Sequence, residues 1–333
     1  MRAPSEVTQT EAVAMQPRRS DRRVRRFIAE YGPRYGMLVA FVLMLLVFLI
    51  TNEHFRQPAN LMNVLQQSSI IGIVACGMAV MVISGGFDLS VGAIGAASTM
   101  AAAAVMVGSG SIVMAVIASI AVGLVAGLFN GLVISKIKIT PFVATFASAT
   151  IISGIIFAST NAAPISGIPR EFTQLGLGST LGVPNPVWIF AIVAILVFVV
   201  LKWTKFGHHV YAVGSSPEAS RLAGVPVDRI VIGAFVIGGL LAGIGGLVLL
   251  GQTGIGQPTA GGSWALTAIA AVVVGGTPLR GGTGGVHSAV IGTLLLGVLG
   301  NALNLYGVSP YWQPAVTGAV VLLAVGVDSY QRK

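Results

Sequence analysis

Asp88 is the only acidic residue between Glu53 and Glu171, and apolar sequence flanks it on both sides. An ionisable group near membrane depth is costly and tends to be functional. Two jobs suit it. Asp88 or Ser90 can cap the helix that follows, accepting bonds from free N–H groups at the positive end of its dipole. Asp88 and Ser90 can also belong to a substrate path or a gate. Gln66, Gln67, Asn130, Asn301 and Asn304 lie inside other apolar runs. Each can line a hydrophilic path or bond a neighbouring helix.

Catalysis finds little to work with, so no catalytic residue is assigned. The chain has no G-x-x-x-x-G-K-[ST] loop, no Gly-Lys pair at all, and no H-E-x-x-H. It therefore cannot hold ATP in the P-loop manner. His54, His208, His209 and His287 fall in three separate regions. An intramembrane serine protease built on Ser84 and His287 has nothing around it in its favour. Cys76, the single cysteine, lies in an apolar run, which excludes an intrachain disulfide and a cysteine zinc cluster. No metal or cofactor is expected on this chain.

The elements that position these residues follow from composition. Of 333 residues, 55% are hydrophobic and 9% charged, against roughly 25% charged in soluble domains. So few charges cannot cover a water-exposed surface. The 44 glycines suit membrane helices, whose backbones approach closely at small residues. A span needs about 20 apolar residues. Ten segments qualify: 36–51, 65–84, 89–107, 112–134, 141–158, 187–203, 229–250, 263–279, 286–305 and 311–327. The expectation is an all-α, polytopic membrane protein of about ten transmembrane helices. One of the closely linked pairs could instead be a re-entrant hairpin.

Charge supports that count. With both termini in the cytoplasm, 17 of the 19 Lys and Arg residues fall inside, leaving Arg56 and Arg170 outside. Such a bias is what the positive-inside rule describes. The net charge of +9 sits largely in residues 1–35, where Arg18, Arg19, Arg22, Arg23, Arg25 and Arg26 cluster. With so much apolar sequence behind it, that segment reads as a topology determinant and a contact for anionic lipid, not a nucleic-acid arm. The first apolar run ends without a small-residue cleavage site and is kept as a helix. Residues 36–327 then form one membrane domain, followed by a short inner tail, 328–333. The proline- and glycine-rich outer loop, 159–186, is expected to be irregular or to hold a short interfacial helix.

The inner loop, 202–229, carries a sharper pattern. Ser216 is a good N-cap, Pro217 a good first helical residue, and Glu218 favours the N-terminal dipole. Ala219, Arg221, Leu222 and Ala223 continue the helix, and Gly224 ends it. A helix over Pro217–Ala223 is marginal alone in water, so it should pack on a partner protein or on the membrane face. A weaker echo links Gly85–Gly92 with Gly275–Gly282, both reading G-G-x-x-L-x-x-G. Paired glycine interruptions can mark a transport site.

Several of these blocks together resemble the permease subunits of ribose-type ATP-binding cassette importers. They are Ser84–Gly92, Gly207–Val225, Val273–Thr277 with Gly281-Gly282, and Asn301–Gln313. Phe87 stands where an aliphatic residue is common, and Pro278-Leu279-Arg280 replaces a more serine-rich stretch. The resemblance implies two permease copies, identical or paralogous, forming a path for a monosaccharide across a bacterial inner membrane. A separate ATPase subunit would bind ATP and magnesium, and an extracytoplasmic binding protein would deliver the sugar. Pro217–Ala223 would be the helix that couples the two machines. The alternative is an ion-gradient-driven transporter of a small polar solute, for which only Asp88 offers an intramembrane charge. A lipid-modifying membrane enzyme would need clustered His, Asp or Glu at one face, and the set here is scattered.

Overall fold

The structure, a computed structural model, describes residues 38–319 and 322. The basic segment 1–35, the tail 328–333 and the C-terminal part of the expected last span lie outside the described residues. Helices α1 (Leu38–Thr51), α2 (Pro58–Ile83), α3 (Val91–Ser109) and α4 (Ile112–Leu132) come first. A π-helical turn, Val133–Ile137, extends α4, and α5 (Pro141–Thr160) follows. Next come α6 (Arg170–Leu177), a two-residue pair of strands β1 (Ser179–Thr180) and β2 (Val183–Pro184), and α7 (Asn185–Trp203). The chain continues through α8 (Lys205–Ser215), α9 (Pro217–Leu222), α10 (Val227–Thr253), α11 (Trp264–Val274) and α12 (Val286–Leu305).

Among the described residues, α2, α3, α4 with its π turn, α5, α7, α10 and α12 are long and apolar enough to cross a bilayer. Helices α1 and α11 are apolar but shorter. After a 3-10 turn at Pro310–Trp312, residues 313–319 are helical again. Local chemistry sets the ends. Pro58 and Pro141 sit in the first turns of α2 and α5, where a missing N–H costs nothing. Helix α11 stops at Val274, short of the expected 279, because Gly276 takes φ +107° and closes a Schellman turn.

The core gathers on α2 and α10. In α2, 83% of the apolar window is buried, against 22% in α4 and α5. Those outer helices present Val113, Val125, Phe146 and Ile155 with more than half of each side chain exposed, as lipid-facing helices do. Helix α4 reaches α10 through glycines. A Cβ on Gly123 or Gly127 would strike the carbonyls of Gly239 and Phe235, and one on Gly239 would strike Gly123. That four-residue spacing lets two backbones touch where no hydrophobic force separates helix from lipid. The loop 159–186 holds the amphipathic helix α6, anchored by the buried Phe172.

Candidate functional site

One end of the bundle carries the short helix α9. Ser216 Oγ accepts from Ala219 N at 3.2 Å, and Pro217 opens the helix. At the other end Gly224 takes φ +81°, with Gly224 N bonded to Arg221 O and Val225 N to Ser220 O. This is a complete Schellman cap. Ala223 is the C-cap residue and Gly224 the residue after it, one position further out than the sequence suggested. With both ends closed, Pro217, Glu218, Ala219 and Leu222 stand exposed, and Leu222 is 92% exposed. A large apolar side chain on a capped, projecting helix is free to enter a partner's pocket.

Charge ties α9 to the bundle. Asp228, in the first turn of α10, meets Lys136 Nζ at 2.9 Å, Lys138 Nζ at 3.4 Å and Arg221 Nη2 at 3.3 Å. The π turn after α4 carries Lys136 round to this carboxylate, and Lys138 holds an uncommon φ of +66°. Each exposed pair is worth about 0–1 kcal/mol. Their value lies in connecting α9, α10 and the α4–α5 elbow through one anion. Sequence reasoning counted Lys136 and Lys138 for topology but missed Asp228.

Backbone contact makes the second link. Helices α2 and α11 end in the same turn. Gly85 N bonds Val82 O and Gly86 N bonds Met81 O; Gly276 N bonds Val273 O and Thr277 N bonds Val272 O. Gly85 at φ +91° therefore corresponds to Gly276 at +107°. The sequence echo paired Gly85 with Gly275 and is one residue out of register. The left-handed position is what requires glycine, and it falls on the second glycine of the later pair. Gly282 N donates to Ile83 O at 2.9 Å, and Tyr211 Oη to Gly284 O at 3.0 Å. A Cβ on Gly214 would strike Ile83 O and Gly282 N. The turn that ends α2 thus meets Gly281-Gly282, in the loop after α11, at the end of α8 and directly before α9.

Asp88 and Ser90 lie just beside this junction, fully buried. Asp88 Oδ1 accepts from Ser90 N at 2.6 Å and from Ser90 Oγ at 2.5 Å. Asn130 Nδ2 donates to Asp88 Oδ2 at 3.1 Å and to Ser90 Oγ at 2.8 Å. Ser90 is the N-cap residue of α3, yet neither side chain accepts from the first turn. The expected cap is replaced by a knot joining the α2–α3 turn to α4. Thr145 of α5, missed from sequence, joins it by accepting from Leu89 N at 3.1 Å.

Asn301 and Asn304 lie at the opposite end. Asn301 and Asn60 exchange two amide bonds of 2.9 and 3.0 Å, and Gln313 Nε2 donates to Asn304 Oδ1 at 2.8 Å. Gln66 Nε2 bonds Gly176 O at 2.9 Å, the interhelical use its sequence position allowed. Among the described residues no three His, Cys, Asp or Glu side chains gather as a metal site would need. Cys76 is buried.

Comparison with known proteins gives a consistent picture. Residues 60–325 match the family described as "Branched-chain amino acid transport system / permease component". The ribose import permease protein of Bacillus subtilis is 40% identical over 299 residues, covering 89% of this chain and 92% of that protein. Its Escherichia coli K12 namesake is 38% identical, covering 88% and 92%. The L-arabinose transport system permease protein of Escherichia coli K12 is 36% identical, covering 90% and 92%. No solved structure matches.

Proposed function

The chain belongs to this transport permease family, and from that premise we propose that it forms the membrane path of an ATP-driven importer for a monosaccharide. The relatives named for ribose and arabinose import support a sugar over the amino acids of the family's description. In this reading ten segments cross a bacterial inner membrane with both termini inside, and α9 faces the cytoplasm. A separate ATPase subunit binds ATP and magnesium and grips α9, two permease copies or paralogues share the path, and an extracytoplasmic protein delivers the sugar.

The observation that carries the reading is α9 itself, capped at both ends, with Leu222 bare and Arg221 tied to Asp228. Movement of α9 reaches α10 and the α4–α5 elbow through Asp228, and reaches α2 and α11 through the glycine junction. Each state of the path is then stabilised by the ligand that binds it better. The Asp88–Ser90–Asn130 knot holds the α2–α3 turn rigid beside that junction. It serves gating by stiffness, and Asp88 need not meet the sugar.

The test is reconstitution in liposomes with the ATPase and the binding protein. Uptake of D-ribose or L-arabinose should require ATP and all three components. Gradient-driven uptake by the permease alone would replace this reading with secondary transport.

A further inference from the structure

A cavity of about 600 Å3 opens between α2, α11, α12 and residues 313–319, a size within the roughly 300–1,000 Å3 of small-molecule sites. Its walls are mixed. Ile71, Ile269 and Leu296 supply apolar surface, while Gln67, Asn304 and Gln313 supply amides. Among the described residues, no Asp, Glu, Lys, Arg or His lines it.

Two hydroxyls set the cavity apart from ordinary packing. Ser68 and Thr293 are 4% and 2% exposed, both line the cavity, and neither hydroxyl has a hydrogen-bond partner among the described residues. Neighbours show what a helical hydroxyl usually does. Ser69 Oγ bonds Leu65 O at 2.7 Å, and Thr267 Oγ1 bonds Ser263 O at 2.9 Å. Ser68 and Thr293 forgo that bond, and a buried polar group left unpaired is costly unless something else completes it. Gly297 makes room for the Ser68 hydroxyl, since a Cβ there would strike it. At the cavity's end, the Gln313–Asn304 bond uses one donor and one acceptor. It leaves both N–H donors of Asn304, and the carbonyl oxygen of Gln313 as an acceptor.

We propose that this cavity is a binding station for a neutral polyhydroxylated solute on its way through the membrane. Sugar hydroxyls would pair with Ser68, Thr293, Asn304 and Gln313, and the apolar ring face would lie on the Ile71 and Leu296 wall. A solute with an ammonium and a carboxylate would bring two charges to a lining that answers neither, which is expensive at membrane depth. The cavity thus selects sugars over the amino acids of the family's description. This rests on the permease reading and deepens it.

The test uses the full reconstituted transporter. Thr293→Val and Ser68→Ala remove hydroxyls that have no partner among the described residues, so both should raise the thermal midpoint of the purified permease. Both should nevertheless lower ATP-driven sugar uptake, by about fivefold per lost hydrogen bond of ~1 kcal/mol. In a Cys76→Ala background, Thr293→Cys should react with a small polar thiol reagent. D-ribose or L-arabinose should slow that reaction, and L-leucine should not. Labelling untouched by both sugars, labelling slowed equally by leucine, or unchanged uptake in Thr293→Val with Ser68→Ala would overturn the station. Wild-type uptake that needs no ATP would count against the permease reading instead.

Discussion

At α9, Ser216 and Gly224 satisfy the helix ends, Arg221 finds Asp228, and the group left over is the apolar side chain of Leu222. At the cavity the leftovers are reversed. The leucines and isoleucines are packed into its wall, and the hydroxyls of Ser68 and Thr293 are what remain unpaired. A polar helix with a bare leucine is complementary to a protein cleft. A greasy wall with bare hydroxyls is complementary to a small neutral solute. The difference shows that unsatisfied chemistry, more than residue type, tells which partner a region awaits.

Four perturbations break or sharpen that contrast, with the largest loss of activity at α9 itself. Leu222→Asp should cut sugar-stimulated ATPase activity about 30-fold, the ~2 kcal/mol of a typical hot spot. Because the side chain is 92% exposed, the thermal midpoint should hold. Unchanged stimulation would remove α9 from the coupling path. Gly214→Ala should cost up to about 3 kcal/mol, since its methyl strikes Ile83 O and Gly282 N. A lower melting temperature in detergent would report it, and a normal one would mean the junction yields freely.

Near the cavity, Asn60→Leu orphans the Asn301 amide and should cost about 1 kcal/mol, at the low end because the pair is half-buried. Adding Asn301→Leu should recover most of that stability. If the double variant also recovers full uptake, the Asn pair only clamps α2 to α12. Asp228→Asn is the mildest. It should cost about 1 kcal/mol or less and lose that effect in high salt. A coupling defect insensitive to salt would show that Asp228 acts by something other than its charge.

Much of the bundle was legible in the chain. Ser216 and Pro217 marked the start of α9, Gly224 marked its end, and the apolar runs marked the long helices, because each depends on neighbours close in sequence. The boundaries slipped where a turn overrode hydropathy. Helix α11 ends at Val274, five residues before the expected boundary at 279. One expectation had Asp88 or Ser90 capping α3, and instead both meet Asn130, forty-two positions away from Asp88. No spacing rule reaches across that distance. The missed residues, Asp228, Thr145, Ser68 and Thr293, are single polar groups of common type, and only their surroundings distinguish them.

By itself, the sequence determined the solvent, the helical architecture and the capped helix α9. Composition fixes whether water or lipid can cover a surface, and capping is a contest among adjacent backbone groups. Only the tertiary structure decided which distant groups meet: Asn60 with Asn301, 241 positions apart, and Lys136 with Asp228, 92 apart. It also decided which hydroxyls go without. Helices that all read as apolar can pack in many ways, and the approach distances set by Gly123, Gly127 and Gly239 against their neighbours select one.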